Sequence, residues 1–317
     1  MSIATSSRYA LSVTAAAALL GGCGGPLAPQ SFAPSHTLSP ARHATKNTGW
    51  LYVADDAFSV GIVYIFGYPD PNGSQVKAIT RIGNVYGPCA DSGGHVWVPA
   101  ERRGRPFVVE FPAGTTKRIG KLDLPKGSGL GECAVDPVTG NLAVVGTNSV
   151  NVFTEAKGRS TKYSLAHVSV TACAYDDQGN LFVDGMKPIS TSQEAFVLYQ
   201  LPKGGKTFSA IALDKRTGVA GGLEWDGQYV AVATGGNGVK PVIYRLSISG
   251  SKGTVVQSVH PRGLNFQAWF AVANGQMIGT SGIYAPRVRD WPYPAGGGWT
   301  WEIGRLQTRG LAIVSTP

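Results

Sequence analysis

The sequence predicts an all-β fold: a six-bladed β-propeller with four-stranded blades, in which the C-terminal strand completes the first blade. Three observations predict it. First, a short phrase recurs as GPCADSGGHVWV around Cys89, GECAVDPVTGNLAVV around Cys133 and TACAYDDQGNLFV around Cys173. It continues in weaker form at Leu223, Trp269 and Leu311, so successive anchors lie 44, 40, 50, 46 and 42 residues apart. Repeats of about 40–50 residues suit a four-stranded propeller blade. Second, apolar runs are short and alternate with period two, with no long helical pattern between them. Third, the two ends share one repeat. Trp50-Leu51-Tyr52-Val53-Ala54-Asp55 matches the second strand at Leu181-Phe182-Val183-Asp184, while Gly310–Ser315 matches a first strand and then stops. Pairing these ends would close a ring without leaving a raw sheet edge.

Each element follows from local chemistry. In the third repeat, Cys133–Asp136 reads as a short first strand and Asp136–Asn141 as a turn. Leu142–Val145, Ser149–Phe153 and Thr161–Leu165 read as the second, third and fourth strands. Second strands elsewhere are His95–Val98, Leu181–Val183 and Gln228–Val232; third strands are Phe107–Phe111, Ala195–Tyr199 and Val242–Leu246. Asp226-Gly227 and Asn274-Gly275 supply residues that tolerate positive φ, as tight hairpins demand. The 43 Gly and 20 Pro among 317 residues, with only 15% charged, fit many turns between short strands. An apolar share of 43% excludes a wholly disordered chain. The formal charge of +9 is spread over many turns rather than along one element, which argues against a nucleic-acid partner.

The first residues carry an address. Arg8 precedes an apolar run at Leu11–Leu20, then Gly21-Gly22-Cys23-Gly24. This pattern reads as an export signal, too short for a membrane-spanning helix. Residues 24–48 are rich in Pro, Ser and Thr and lack a periodic apolar face, so they read as a tether in which His36 and His43 are solvated. The expected division is therefore a signal peptide over 1–22, a flexible tether over 23–48 and a propeller domain over 49–317.

Leu20-Gly21-Gly22-Cys23 resembles the lipobox of bacterial lipoproteins, in which cleavage precedes the Cys and its thiol takes a lipid. That resemblance implies acylation at Cys23 and attachment to a bacterial membrane, the outer one where the host has two, since Gly24 rather than Asp follows. The repeated pattern GxCAxDxxGNLxV resembles the NHL repeat and the related SMP-30/gluconolactonase and TolB-like six-bladed propellers. It is similar over residues 50–315 to lipoproteins built from such repeats. The motif implies a blade and not a reaction.

Cys89, Cys133 and Cys173 occupy one phase of adjacent first strands. They read chiefly as three small buried hydrophobes, Cys89 meeting the face that carries Ala134; one disulfide with a spare thiol is the alternative. No CxxC pair favours a metal.

Strand alternation places the turn entering each first strand and the turn between second and third strands on one face of the disc. The loops there are the longer ones. A binding surface is expected from Arg102, Arg103 and Arg105 in one loop and Arg287, Arg289, Trp291 and Tyr293 in another. Guanidinium forks take carboxylate or phosphate, and aromatic faces take sugar or peptide. Trp299 and Trp301 read as strand residues. SMP-30-like lactonases hold a divalent cation in the central channel, and Glu132 is the weak candidate ligand here, with Glu224 the other first-strand acid. Asp91, Asp136, Asp176 and Asp226 read as turn formers. The neighbouring rim positions Pro88, Ala172, Gly222, Ala268 and Gly310 are too apolar for a hydrolytic cage. No GxSxG, GxxxxGK or HExxH pattern occurs, and His95, His167 and His260 fall in unrelated blade positions. No catalytic residue and no cofactor are assigned. The expected function is a monomeric binding or scaffold domain at the cell envelope, with an envelope protein or glycan as partner; the alternative is a calcium-dependent lactonase.

Overall fold

The computed structural model describes residues 36–37, 49–56, 61–69, 75–265, 268–280, 287–304 and 306–315. The signal region, Cys23, most of the tether including His43, and residues 281–286 lie outside the described residues.

The fold is all-β. Strand β1 (His36–Thr37) precedes the repeats. The first repeat holds β2 (Gly49–Asp55), β3 (Ile62–Tyr68) and β4 (Gln75–Ile79). The second holds β5 (Asn84–Val85), β6 (Cys89–Ala90), β7 (His95–Arg102), β8 (Arg105–Pro112) and β9 (Gly120–Asp123). The third holds β10 (Cys133–Val135), β11 (Leu142–Val145), β12 (Ser149–Phe153) and β13 (Ser160–Ser164). The fourth holds β14 (Ser169–Tyr175), β15 (Leu181–Pro188), β16 (Glu194–Leu201) and β17 (Ser209–Leu213). The fifth holds β18 (Val219–Trp225), β19 (Val230–Gly236), β20 (Val239–Ser249) and β21 (Lys252–Val259). The last holds β22 (Phe270–Ala273), β23 (Gln276–Thr280), β24 (Arg287–Pro292) and β25 (Glu302–Gly304), and β26 (Thr308–Ser315) follows.

These strands form five sheets, not six separate blades, and this corrects the expected architecture. Four sheets are propeller-like: β26-β2-β3-β4, β10-β11-β12-β13, β5-β7-β8-β9 with β6 also on β7, and β22-β23-β24-β25 with β1 added outside β25. The fourth and fifth repeats instead share one eight-stranded sheet, ordered β14-β15-β16-β17-β21-β20-β19-β18. Its end strands β14 and β18 lie against each other, so the sheet curls into a nearly closed barrel around its own core. That core includes Ala172, Phe182, Leu198, Leu223, Val232 and Leu246. The regular six-bladed disc implied by the NHL and SMP-30 resemblance is corrected with it.

The cause of the fusion is local. β17 and β21 would each be an open edge with unpaired backbone groups. They meet in parallel at Ala212 with Lys252 and Leu213 with Gly253. Ala212 N–H donates to Ser251 O at 2.8 Å and Asp214 N–H to Gly253 O at 3.2 Å. The Asp214 carboxylate accepts from Val255 N–H at 2.9 Å. A Cβ on Gly253 would sit 2.6 Å from Leu213 Cδ2, so the close approach uses the missing side chain. Nothing in the repeat spacing reveals this contact between two outer strands.

β2 pairs with β26 from Gly49–Ser315 to Asp55–Thr308, joining the two ends of the domain. Alternation then builds a core on each side of this sheet. Tyr52 and Ala54 face Val96, Val98 and Phe111, whereas Leu51 and Val53 face Ile278, Val288 and Ile303. Successive residues on a strand point to opposite faces, so one short run serves two packed layers.

Several first strands slip by a residue against their partners, between Val170 and Ala172, between Ala220 and Leu223, and opposite Ala54 and Asp55. A buried polar side chain on the second strand stands in for the lost ladder bonds. Asp184 Oδ1 accepts from Ala172 N–H at 3.0 Å, and Thr234 Oγ1 from Gly218 N–H at 2.8 Å. Asp55 Oδ1 accepts from Gln307 N–H at 2.9 Å, and at the same position of the last repeat Thr280 Oγ1 accepts from Trp269 N–H at 3.0 Å. All four residues are buried, as such substitutes must be where water cannot reach.

Candidate functional site

The β7–β8 hairpin turns through Arg103 and Gly104, both at positive φ (54° and 70°), with Arg102 opposite Arg105. Two central residues of this kind define the primed turn that matches strand twist, and Gly adopts it without cost. Arg103 is not Gly, and neither is Arg81 at φ 63°; such backbone costs of order 1 kcal/mol and gathers at functional sites. The two residues line the same cleft, of about 920 Å³. Arg81 and Ile82 come from the loop after β4, Arg102, Arg103 and Arg105 from the hairpin, and Arg118, Lys121, Asp123 and Lys126 from β9 and its flanks. Phe107 and Val109 are buried in its floor, and Lys121 lies 4.9 Å from the Phe107 ring centroid. Lys121 pairs with Asp123. Among the described residues, no hydrogen bond or ion pair engages the side chains of Arg81, Arg102, Arg103, Arg105, Arg118 or Lys126.

The other half of the expected surface is elsewhere and otherwise engaged. Arg287 and Arg289 do not line this cleft. Glu302 bridges them, with Arg289 Nε at 2.6 Å and Arg287 Nη1 on its second oxygen. Arg289 also donates to Gly263 O at 3.0 Å and stacks 4.0 Å over the Trp299 ring. Trp291 is fully buried, its indole N–H donating to Arg262 O at 3.0 Å. Tyr293 is buried too and donates to Asp226 Oδ2 at 2.6 Å. Arg245 sits between the Tyr229 and Tyr293 rings, at 4.7 and 5.5 Å, and donates to the same Asp226 oxygen at 2.6 Å. Burial alone would raise the Asp226 carboxyl, but Arg245, Tyr293 and the Tyr229 and Gln228 N–H groups outweigh it and hold it below the ordinary carboxylate range. Asp226 forms its turn as expected, and it also joins the fifth repeat to the last.

First strands of every repeat line an axial cavity of about 260 Å³. Glu132 and Glu224 both border it. Both residues are half-buried. Burial pushes Glu224 up to about 8. Burial, then Glu224 and Asp184, push Glu132 well above its usual range. Burial raises Asp184 likewise, against the opposing Ala172 N–H. Among the described residues, no three His, Cys, Asp or Glu side chains are grouped so as to hold a metal.

The cysteines differ from their main expectation. Cys89 and Cys133 form a disulfide, with Cα atoms 5.4 Å apart. First strands converge on the axis, where Cys133 N–H donates to Gly87 O of the neighbouring sheet at 3.2 Å. Side chains in the same phase therefore meet, instead of passing onto the Ala134 face. Cys173 keeps a buried thiol, pushed up by burial and then by Glu132, Asp184 and Glu224. His95 is held by Asp91, Nδ1 to Oδ2 at 2.9 Å, within its own turn.

Sequence reasoning missed Arg81, Arg118, Lys121 and Lys126, although their place in the repeat was a signal for them. They follow or flank fourth strands, whose ends share a rim with the turn between second and third strands. The bonding roles of Asp184, Thr234 and Thr280 had no sequence signal, because a single polar residue inside an apolar strand does not declare its partner.

The fold defines an all-β protein of propeller-like sheets. No protein-family model matches the chain, and no curated protein matches it. Among solved structures it is similar to TolB from Acinetobacter baumannii, with a TM-score of 0.53, 11% identity, and coverage of 84% of this chain and 66% of that one. The chain thus spans just under two thirds of TolB. A functionally unknown protein from Desulfotomaculum acetoxidans DSM 771 gives 0.52 at 11% identity, covering 84% of this chain and 90% of that one. AztD from Citrobacter koseri, in its apo form, gives 0.49 at 12% identity, covering 85% and 98%. At these identities the likeness shows a distantly TolB-like fold and nothing finer.

Proposed function

We propose that this chain is a lipid-anchored, non-enzymatic binding domain of the bacterial cell envelope. In this reading residues 1–22 are a lipoprotein signal peptide, Cys23 carries the lipid, residues 23–48 form the tether, and residues 49–317 act as a monomeric binding domain. The membrane is the outer one where the host has two. The observation that carries the binding role is the cleft around the β7–β8 hairpin, where exposed guanidinium groups with no partner among the described residues gather around one cavity. Arg102, Arg103 and Arg105 are its centre. Unpaired cations of this kind raise the local concentration of anionic partners and bind them through forked hydrogen bonds. The lipobox-like Leu20–Cys23 supports the anchor.

The test has two arms. Palmitate labelling in cells should mark the wild-type chain and not Cys23→Ser. The purified chain should capture material from an envelope extract, and the triple variant Arg102→Ala/Arg103→Ala/Arg105→Ala should lose most of it. Equal capture by both proteins would remove the cleft from the function.

A further inference from the structure

We infer that the cleft between the first and second repeats binds a ligand carrying two or more clustered phosphomonoester groups. This deepens the binding role proposed above and rests on it. Seven cationic side chains and one carboxylate line about 920 Å³. Three separate segments deliver them, so the charge is gathered around one cavity. Five of the seven are arginines, whose planar forks match phosphate oxygens in pairs.

Charge density selects the class. An acidic peptide strand shows one face a side chain only every ~7 Å, so it brings few carboxylates into one cavity. That leaves most of the cations uncompensated. A phosphomonoester carries about −1.5 to −2 charges on three oxygens. Two or three such groups on one sugar-sized scaffold balance the excess within the same space. The backbone at Arg81 and Arg103, on two of the segments that line the cleft, is left-handed, and such strain gathers at functional sites. The source is either a soluble phosphorylated ligand or a phosphomonoester headgroup at a membrane surface.

The full chain is titrated with myo-inositol hexakisphosphate and, separately, sedimented with phosphatidylcholine vesicles with and without phosphatidic acid. Polyglutamate of matched charge is the third probe. Saturable binding of the hexakisphosphate, falling at least about tenfold in Arg105→Ala/Arg118→Ala and steeply with salt, is the expected result. The exposed-site control Arg159→Glu should bind like wild type. Phosphatidic acid vesicles that bind and are displaced by the hexakisphosphate assign the headgroup source; vesicles that do not bind, beside a hexakisphosphate that does, assign the soluble one. Failure of both phosphate probes to bind overturns the inference, as does loss in the Arg159→Glu control equal to that in the cleft variant. Polyglutamate binding as tight as the hexakisphosphate also overturns it, while arginine-dependent capture from envelope extract would still stand.

Discussion

The Asp226 carboxylate is completely buried, yet it is an anion. It accepts from Arg245, Tyr293 and two backbone N–H groups, so the cost of taking it out of water is met by four donors. Asp226→Ala should therefore destabilise the fold by about 3–5 kcal/mol, because it leaves the Arg245 charge largely buried without its partner. Urea unfolding measures this, and a loss under about 1 kcal/mol would contradict the arrangement. The axial acids behave in the opposite sense. Glu224 titrates near 8 in the folded chain and in the ordinary carboxylate range when unfolded. The folded state thus holds a proton that the unfolded state releases, so stability is highest in mild acid, declines as pH rises toward about 8, and then levels off. Glu132 and Asp184 add to the same slope. Thermal melts from pH 5 to pH 9 should show a falling Tm that Glu224→Gln partly flattens. Asp226 was legible in the sequence as a turn former; its partners Arg245 and Tyr293, 19 and 67 residues away, were not.

Strand positions were readable because a strand packed on both faces reads as a short continuous apolar run, and Leu51–Ala54 and Leu142–Val145, buried at every position, show this directly. What the strands do at their outer edges was not readable. The β17–β21 contact depends on Gly253 and on the length of β21, features that look like any other turn and strand in the sequence. The pairing of Cys89 with Cys133 was similarly hidden, because it depends on how closely two first strands approach at the axis. That bond closes a loop of 44 residues between β6 and β10. In the chain-entropy account, closing such a loop is worth about 4 kcal/mol. Cys89→Ser/Cys133→Ser should lower the urea midpoint accordingly, and dithiothreitol should lower the wild type toward the double variant. A midpoint indifferent to reductant would show that the bond does not form in the folded protein.

At the scale of the whole molecule, the ends of the chain matter more than their length suggests. β26 supplies the first strand of a sheet whose other members lie 229 or more residues earlier in sequence (Ile79 to Thr308). Its residues Leu311, Ala312 and Val314 are buried in two different cores, one on each side of that sheet. Removing them uncovers Tyr52 and Val53 together and strips β2 of a hydrogen-bonded neighbour along its whole length. At roughly 1.5–3 kcal/mol per large buried side chain, before any lost ladder bonds, the deletion approaches the 5–15 kcal/mol that holds a typical domain together. A chain ending at residue 307 should therefore lose its cooperative unfolding transition and bind a hydrophobic dye. The contacts are non-local and the missing piece is a single strand, so a synthetic peptide of residues 306–317 should restore the transition in a concentration-dependent way, as expected for a strand that adds to an open edge. The same peptide with Leu311 and Val314 replaced by Asp should not restore it, because it would offer the backbone ladder without the two buried faces. A truncated chain that melts cooperatively at the wild-type temperature would show that the join between β2 and β26 contributes little to the domain.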